Sequence, residues 1–192
     1  MRRNGLDLDR LERSAEELAA GPEAGATRVR VRTRWKDGFA ADATAEELQV
    51  GPATLPRRHA AAVDLPELFG GADGAPTPGE LLLTALTGCV LHQFVQHAAV
   101  AAVDVDALAF TAEGKLDLRG SLGMPGIDPA LARVVLHVEV AADADEEVLA
   151  GLLASALATS PVAGSLRGAV AVDAHADAAA RVDTGASLPQ DG

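Results

Sequence analysis

The side chain with the most chemistry to offer is Cys89, the only cysteine in the chain. A thiolate is both nucleophile and metal ligand, but a lone one excludes an intramolecular disulfide and any multi-cysteine metal site. Cys89 sits in the apolar run 81–91. It is therefore either a packed core residue, the usual fate of a free cysteine, or a reactive thiol. His92 follows one turn later and shares a helical face with Cys89, Leu82, Ala85 and Gln93. It reads as a tuning partner for the thiol or as an ordinary packed or solvated histidine. His97 lies off that face, and no His, Asp and Glu set has the spacing of a metal site. Glu80 is nine residues before Cys89. At ~100° per residue the two fall on opposite faces of a straight helix, roughly 13 Å apart along its axis, and cannot touch within it. Arg28, Arg30, Arg32 and Arg34 alternate along one further segment. They form either a cationic surface for an anion or for Cys89, or a solvated strand face whose long cations discourage edge pairing.

The elements that must position these residues follow from periodicity. Residues 6–20 read as a helix, with Leu8, Leu11, Ala15 and Leu18 recurring every three to four positions. Gly21-Pro22 and Gly25 end it. Strict alternation over 27–35 predicts a strand with the arginines on one face and Val29, Val31, Thr33 and Trp35 on the other. Lys36-Asp37-Gly38 is a turn signal, 39–50 returns as a second arm, and 59–63 reads as a third strand. The stretch 65–78 is a loop rich in Gly, Pro and Asp. Thr77, Pro78 and Glu80 then form a capping box that opens a helix running to about 102. That helix is apolar almost all round and should be buried, whether in the core or in a subunit interface. Strands are predicted over 108–118, 132–141 and 167–173, with a helix over 146–159 stopped by Pro161. The order is an α+β pattern with a mostly antiparallel sheet and no internal repeat. It divides into an N-terminal helical extension (1–25), one main domain (26–175) and a flexible tail (176–192).

Bulk properties restrict the function. A chain of 192 residues with 48% hydrophobic content is long enough for one sizeable core. A net charge of -12 argues against nucleic-acid binding, which needs clustered cations. Lys36 and Lys115 are the only lysines, and a coding bias toward Ala, Arg, Asp and Gly accounts for the composition without any function. Aromatic content of 3% leaves little for base stacking. The longest apolar run includes Thr84, Thr87 and Gly88 and is too short to span a bilayer. The N-terminus has no secretory apolar region, so a cytoplasmic location is expected, with no membrane and no nucleic acid among its partners.

Two segments carry a resemblance. One spans 59–89, with the core DLPELFGGADGAPTPGELLLTALTGC; the other is ATSPVAGSL, residues 158–166. Together they resemble the OsmC/Ohr family, named for osmotically inducible protein C and organic hydroperoxide resistance, over about 27–173. The resemblance implies an α+β fold with two central helices, built as an intertwined homodimer with active sites at the interface. It also implies thiol-dependent reduction of hydroperoxides, in which one cysteine becomes a sulfenic acid and a second resolves it. Carried over residue by residue, Cys89 takes the attacking position. Ser160, before Pro161-Val162, takes the resolving position, so the disulfide step is lost. The activating arginine maps to the turn after the first strand, where Lys36 is nearest and Arg34 the substitute if the register slips. The activating glutamate maps to Gly79, with Glu80 one residue later.

Each assignment has a plainer counterpart. Ser160 can be a polar residue at a helix C-terminus, and Glu80 a cap, unless Glu80 serves the partner subunit's site. Cys89 lies about three turns into its helix, beyond the dipole's end effect, so a cation from the first hairpin must activate it. Three functions compete. One is a one-cysteine peroxidase-like enzyme recycled by an external thiol, with Cys89 acting on an organic hydroperoxide and no cofactor. The second is a non-catalytic dimer binding a small ligand, and the third a redox sensor.

Overall fold

The computed structural model describes residues 1–168 together with 172 and 174. It opens with a hairpin of β1 (Arg2–Arg3) and β2 (Leu6–Asp7), turned by Asn4 and Gly5, both at positive φ. Asn-Gly is the favoured pair for such a two-residue turn. Asp7 then caps α1 (Leu8–Ala19) by accepting from the Arg10 N–H, so the first helix starts two residues later than its apolar spacing predicts. A single turn, α2 (Pro22–Gly25), follows.

The alternating segment forms β3 (Thr27–Asp37), and β4 (Ala40–Val50) returns against it, antiparallel. Gly38 supplies the positive φ of their turn. The far edge of β4 carries two short strands, β5 (Ala53–Pro56) against 47–50 and β6 (Ala60–Val63) against 41–44. Only the second of these is expected from sequence. Residues 64–76 form a loop with one 3-10 turn, Glu67–Phe69. Asp64, 4% exposed, ties the loop together by accepting from the N–H groups of Leu65, Ala72 and Gly74 at 2.8, 3.2 and 3.1 Å.

The long helix α3 (Pro78–Val100) is followed by β7 (Val105–Lys115), the short α4 (Leu118–Ser121), β8 (Arg133–Ala142), α5 (Glu146–Thr159) and α6 (Pro161–Arg167). β7 and β8 pair antiparallel. Two expectations change here. The strand predicted over 108–118 begins and ends three residues earlier, because Leu108, Phe110 and Ala112 face inward from Val105 onward and Asp117 caps α4. Pro161 stops α5 as predicted, but a proline also fits the first turn of a helix, and α6 starts there at 70° to α5. Arg167 closes α6 and Gly168 caps it, so the strand predicted over 167–173 does not start at 167; residues 169–171 and 173, like the tail 176–192, lie outside the described residues.

The core is built from one stripe of α3 (Leu86, Val90, Phe94, Ala98) against Leu152 and Ala156 of α5 and Ala163 of α6, with Leu108, Phe110 and Leu136 of the β7–β8 pair packed on it. Phe94 meets Phe110 edge to face at 6.2 Å, a favoured aromatic geometry. The N-terminal hairpin docks on the turn after α3: the Asn4 side chain donates to Val103 O at 2.9 Å and accepts from Val105 N at 3.0 Å. Among the described residues the strands fall into three separate antiparallel sheets, in place of the single sheet expected. The sheet β3–β6 leaves its apolar side chains uncovered, with Val29, Val31 and Trp35 at 66%, 59% and 73% exposed.

Candidate functional site

Thr77 fixes the start of α3. Its hydroxyl accepts from Glu80 N at 3.2 Å, and the Glu80 carboxylate accepts from Thr77 N at 2.7 Å and Thr77 Oγ1 at 2.9 Å. The Thr77 backbone bond, then its hydroxyl, holds the Glu80 carboxyl below the usual range. Glu80 therefore acts as the capping residue its position predicts. It also lines an open groove of about 320 Å³ beside β7 with Leu83, Thr84, Thr87, Phe110, Thr111 and Ala112, a lining that does not include Cys89.

Cys89 stands where α3 crosses the junction of α5 and α6. Ser160 ends α5 and caps α6. Its hydroxyl donates to Cys89 Sγ at 3.1 Å and accepts from Ala163 N at 3.2 Å. Ser160 is 2% exposed and Cys89 half-buried. The two segments singled out in the sequence thus meet at one hydrogen bond, across a separation of 71 residues.

The other candidates lie elsewhere in the chain. Lys36, at the end of β3, is exposed and paired with Asp42 at 3.3 Å. Arg34 sits opposite Asp42 in the register, also exposed, with no ion pair among the described residues. The remaining arginines of the stripe form surface pairs, Arg28 with Glu47 at 2.9 Å and Arg30 and Arg32 with Glu46 at 3.3 and 3.8 Å. Exposed pairs of this kind contribute little each. His92 is exposed and makes no side-chain hydrogen bond among the described residues. Cys89 has no cation in hydrogen-bond contact among the described residues; Ser160 is its polar neighbour.

Gln93, His97 and Thr159 lie beside the pair, and of these Thr159 is the one the sequence does not single out. Thr159 Oγ1 is 3.0 Å from Gln93 Oε1, 3.0 Å from His97 Nε2 and 2.9 Å from Ser155 O. Gln93 and His97 follow Cys89 at one and two turns on α3, so all three form one row along the end of α5. The four-residue spacing carried this signal in the sequence. His97, expected off the Cys89 face, joins this row through Thr159, whereas His92 points to solvent. Among the described residues no His, Cys, Asp and Glu group is arranged to hold a metal ion.

The sequence matches the family described as OsmC-like protein over residues 70–175. Solved structures with a similar fold include an OsmC-like protein from Mycoplasma pneumoniae, at 15% identity and TM-score 0.58, covering 73% of this chain and 88% of that one. Another is an OsmC-like protein from Vibrio cholerae, at 17% identity and TM-score 0.54, covering 72% and 92%. At these identities the likeness concerns the fold. No curated protein matches in sequence.

Proposed function

The chain belongs to the OsmC-like protein family, and from that we propose that it is a one-cysteine, thiol-dependent reductase of organic hydroperoxides working as an intertwined homodimer. The observation that carries the reading is the contact of Cys89 with Ser160. The chain's one thiol lies at the meeting point of the two family segments, against a residue that cannot form a disulfide.

The chemistry then runs as follows. The Cys89 thiolate attacks one oxygen of the hydroperoxide. An S–O bond forms as the O–O bond breaks, and the alkoxide takes up the proton lost by the thiol and leaves as an alcohol. Sulfur is oxidised by two electrons to the sulfenic acid. An external thiol condenses with it, releasing water and leaving a mixed disulfide. A second thiol attacks that disulfide, frees Cys89 and departs as the oxidised dithiol. The reducing cytoplasm, where such thiols are abundant, suits this cycle.

Two features support a second copy. Leu82, Ala85 and His92 leave one face of α3 exposed beside Cys89, and β3 presents Val29, Val31 and Trp35 to solvent. Uncovered apolar surface of this extent marks an interaction site. In the dimer, Arg34 or Lys36 of the partner subunit would supply the cation that Cys89 lacks in its own chain. A non-catalytic, ligand-binding dimer is the second reading, favoured by the engagement of Glu80 in its cap and of Lys36 with Asp42. A redox sensor would share the first oxidation step.

Treating the reduced protein with a stoichiometric organic hydroperoxide, with a sulfenic-acid trap and mass spectrometry as the readout, separates the two oxidising readings from the ligand-binding one, and turnover with an external thiol separates the enzyme from the sensor. Trapping at Cys89 within seconds, absent in Cys89→Ser, is expected. No adduct within an hour, with the dimer intact, would sink the enzyme and leave the ligand-binding reading.

A further inference from the structure

Asp64 and Ser160 are the two buried polar side chains among the described residues. Asp64 spends its oxygens on three N–H groups of its own loop. Ser160 spends one lone pair on Ala163 N–H and directs its proton at sulfur. A hydroxyl has a single proton and two acceptor sites, so the cap interaction leaves that proton free for Cys89. Ser160 is itself 2% exposed, which limits competition from water for its hydroxyl. The backbone at the junction fixes the oxygen, because Ser160 belongs to both helix ends.

From this we infer that Ser160 is a positioning residue for the thiol: its hydroxyl, oriented by the cap of α6, fixes Cys89 Sγ and donates to the sulfur when it is ionised. The position that would carry a resolving thiol thus carries a proton donor to the attacking one. The reason is general. A hydrogen bond donated to the charged form of a group favours that form, and such bonds are roughly twice as strong as neutral ones. The inference rests on Cys89 being the reacting group of the proposed function, but not on the identity of its substrate.

Alkylation of Cys89 by iodoacetamide tests it without any peroxide, in the full chain and in Ser160→Ala, Ser160→Gly and Ser160→Thr. Glycine is tolerated at helix N-caps, so Ser160→Gly removes the hydroxyl in a folded protein should alanine disturb the junction. The two variants lacking the hydroxyl should react more slowly than the wild type near pH 7, by roughly threefold or more. Near pH 10, where thiols are ionised in any case, they should react at about the same rate. Ser160→Thr, which keeps the hydroxyl, should restore the rate near pH 7. Equal rates near pH 7 would overturn the inference. So would the same loss at both pH values, since that reports altered access to the sulfur and not its ionisation. Hydroperoxide trapping is scored separately. Failure to trap, beside the expected alkylation pattern, would end the peroxidase reading and leave the role of Ser160 standing.

Discussion

Among single residues, Asp64 carries the clearest pH dependence. The N–H groups of Gly74 and Leu65, and to a smaller extent that of Ala72, hold its carboxyl below the ordinary range against the opposing effect of burial. A depressed folded value means that the carboxylate stabilises the fold above its unfolded value of about 3.9, and that this stability is lost as pH falls through the lower folded value. Asp64→Asn should therefore be less stable than wild type at neutral pH, with the gap closing below about pH 4. Urea titrations across that range would show it, and a gap that stays constant with pH would count against it. Asp64 is legible in the sequence only as one of several acids near the Gly/Pro-rich loop. Its bonds to Ala72 and Gly74 depend on how eight to ten residues of loop fold back, and no local pattern encodes that return.

Among the elements, α3 follows most directly from the chain. Thr77, Pro78 and Glu80 predict its start, and the capping box forms as the spacing requires. Its buried stripe centres on Phe94, 1% exposed and in contact with the Phe110 ring. Phe94→Ala should cost about 3–5 kcal/mol, since it leaves a cavity that α5 and β7 can only partly close. Denaturant midpoints at constant m-value would report this, and a cost under about 1 kcal/mol would mean that α3 is not the centre of the core. The sequence overstates one point. α3 is apolar almost all round, which predicts burial on every side, yet Leu82, Ala85 and Val100 are exposed in the single chain. The apolar pattern records that a face must be covered, not which chain covers it.

For the whole molecule, the sheet β3–β6 and the α3–α5 core are the parts whose relation matters. The apolar side of β3, with Val29, Val31 and Trp35, has the composition of a buried face and the exposure of a surface. If a second copy covers it, Val31→Asp should shift the protein toward a monomer in sedimentation velocity. It should also lower the midpoint of thermal unfolding of the wild-type-like dimer and abolish its dependence on protein concentration. A wild-type protein that sediments as a monomer at micromolar concentration would exclude the intertwined dimer. The ion pairs Arg28–Glu47 and Arg30–Glu46 on the other face are exposed and should matter little to either state.

The sequence by itself determined the main elements, β3, β4, α3, β7, β8 and α5, because hydrophobic period, caps and turn residues act within a few positions, but not the β1–β2 hairpin, β5 or α6. Leu82 to His92 as a helical row, the alternation of β3 and the capping box of Thr77 and Glu80 are all of this kind. It also determined that a lone thiol could not form a disulfide within the chain, since Ser160 has no sulfur to give. Tertiary structure alone decided that Ser160 is buried and bonded to Cys89, that Gln93, His97 and Thr159 lie together beside them, and that, among the described residues, no cation of the first hairpin is hydrogen-bonded to the thiol. These are contacts between residues about 60 to 70 positions apart. They are set by how α3 packs on α5 and α6, and packing depends on the joint fit of whole faces that no single segment specifies.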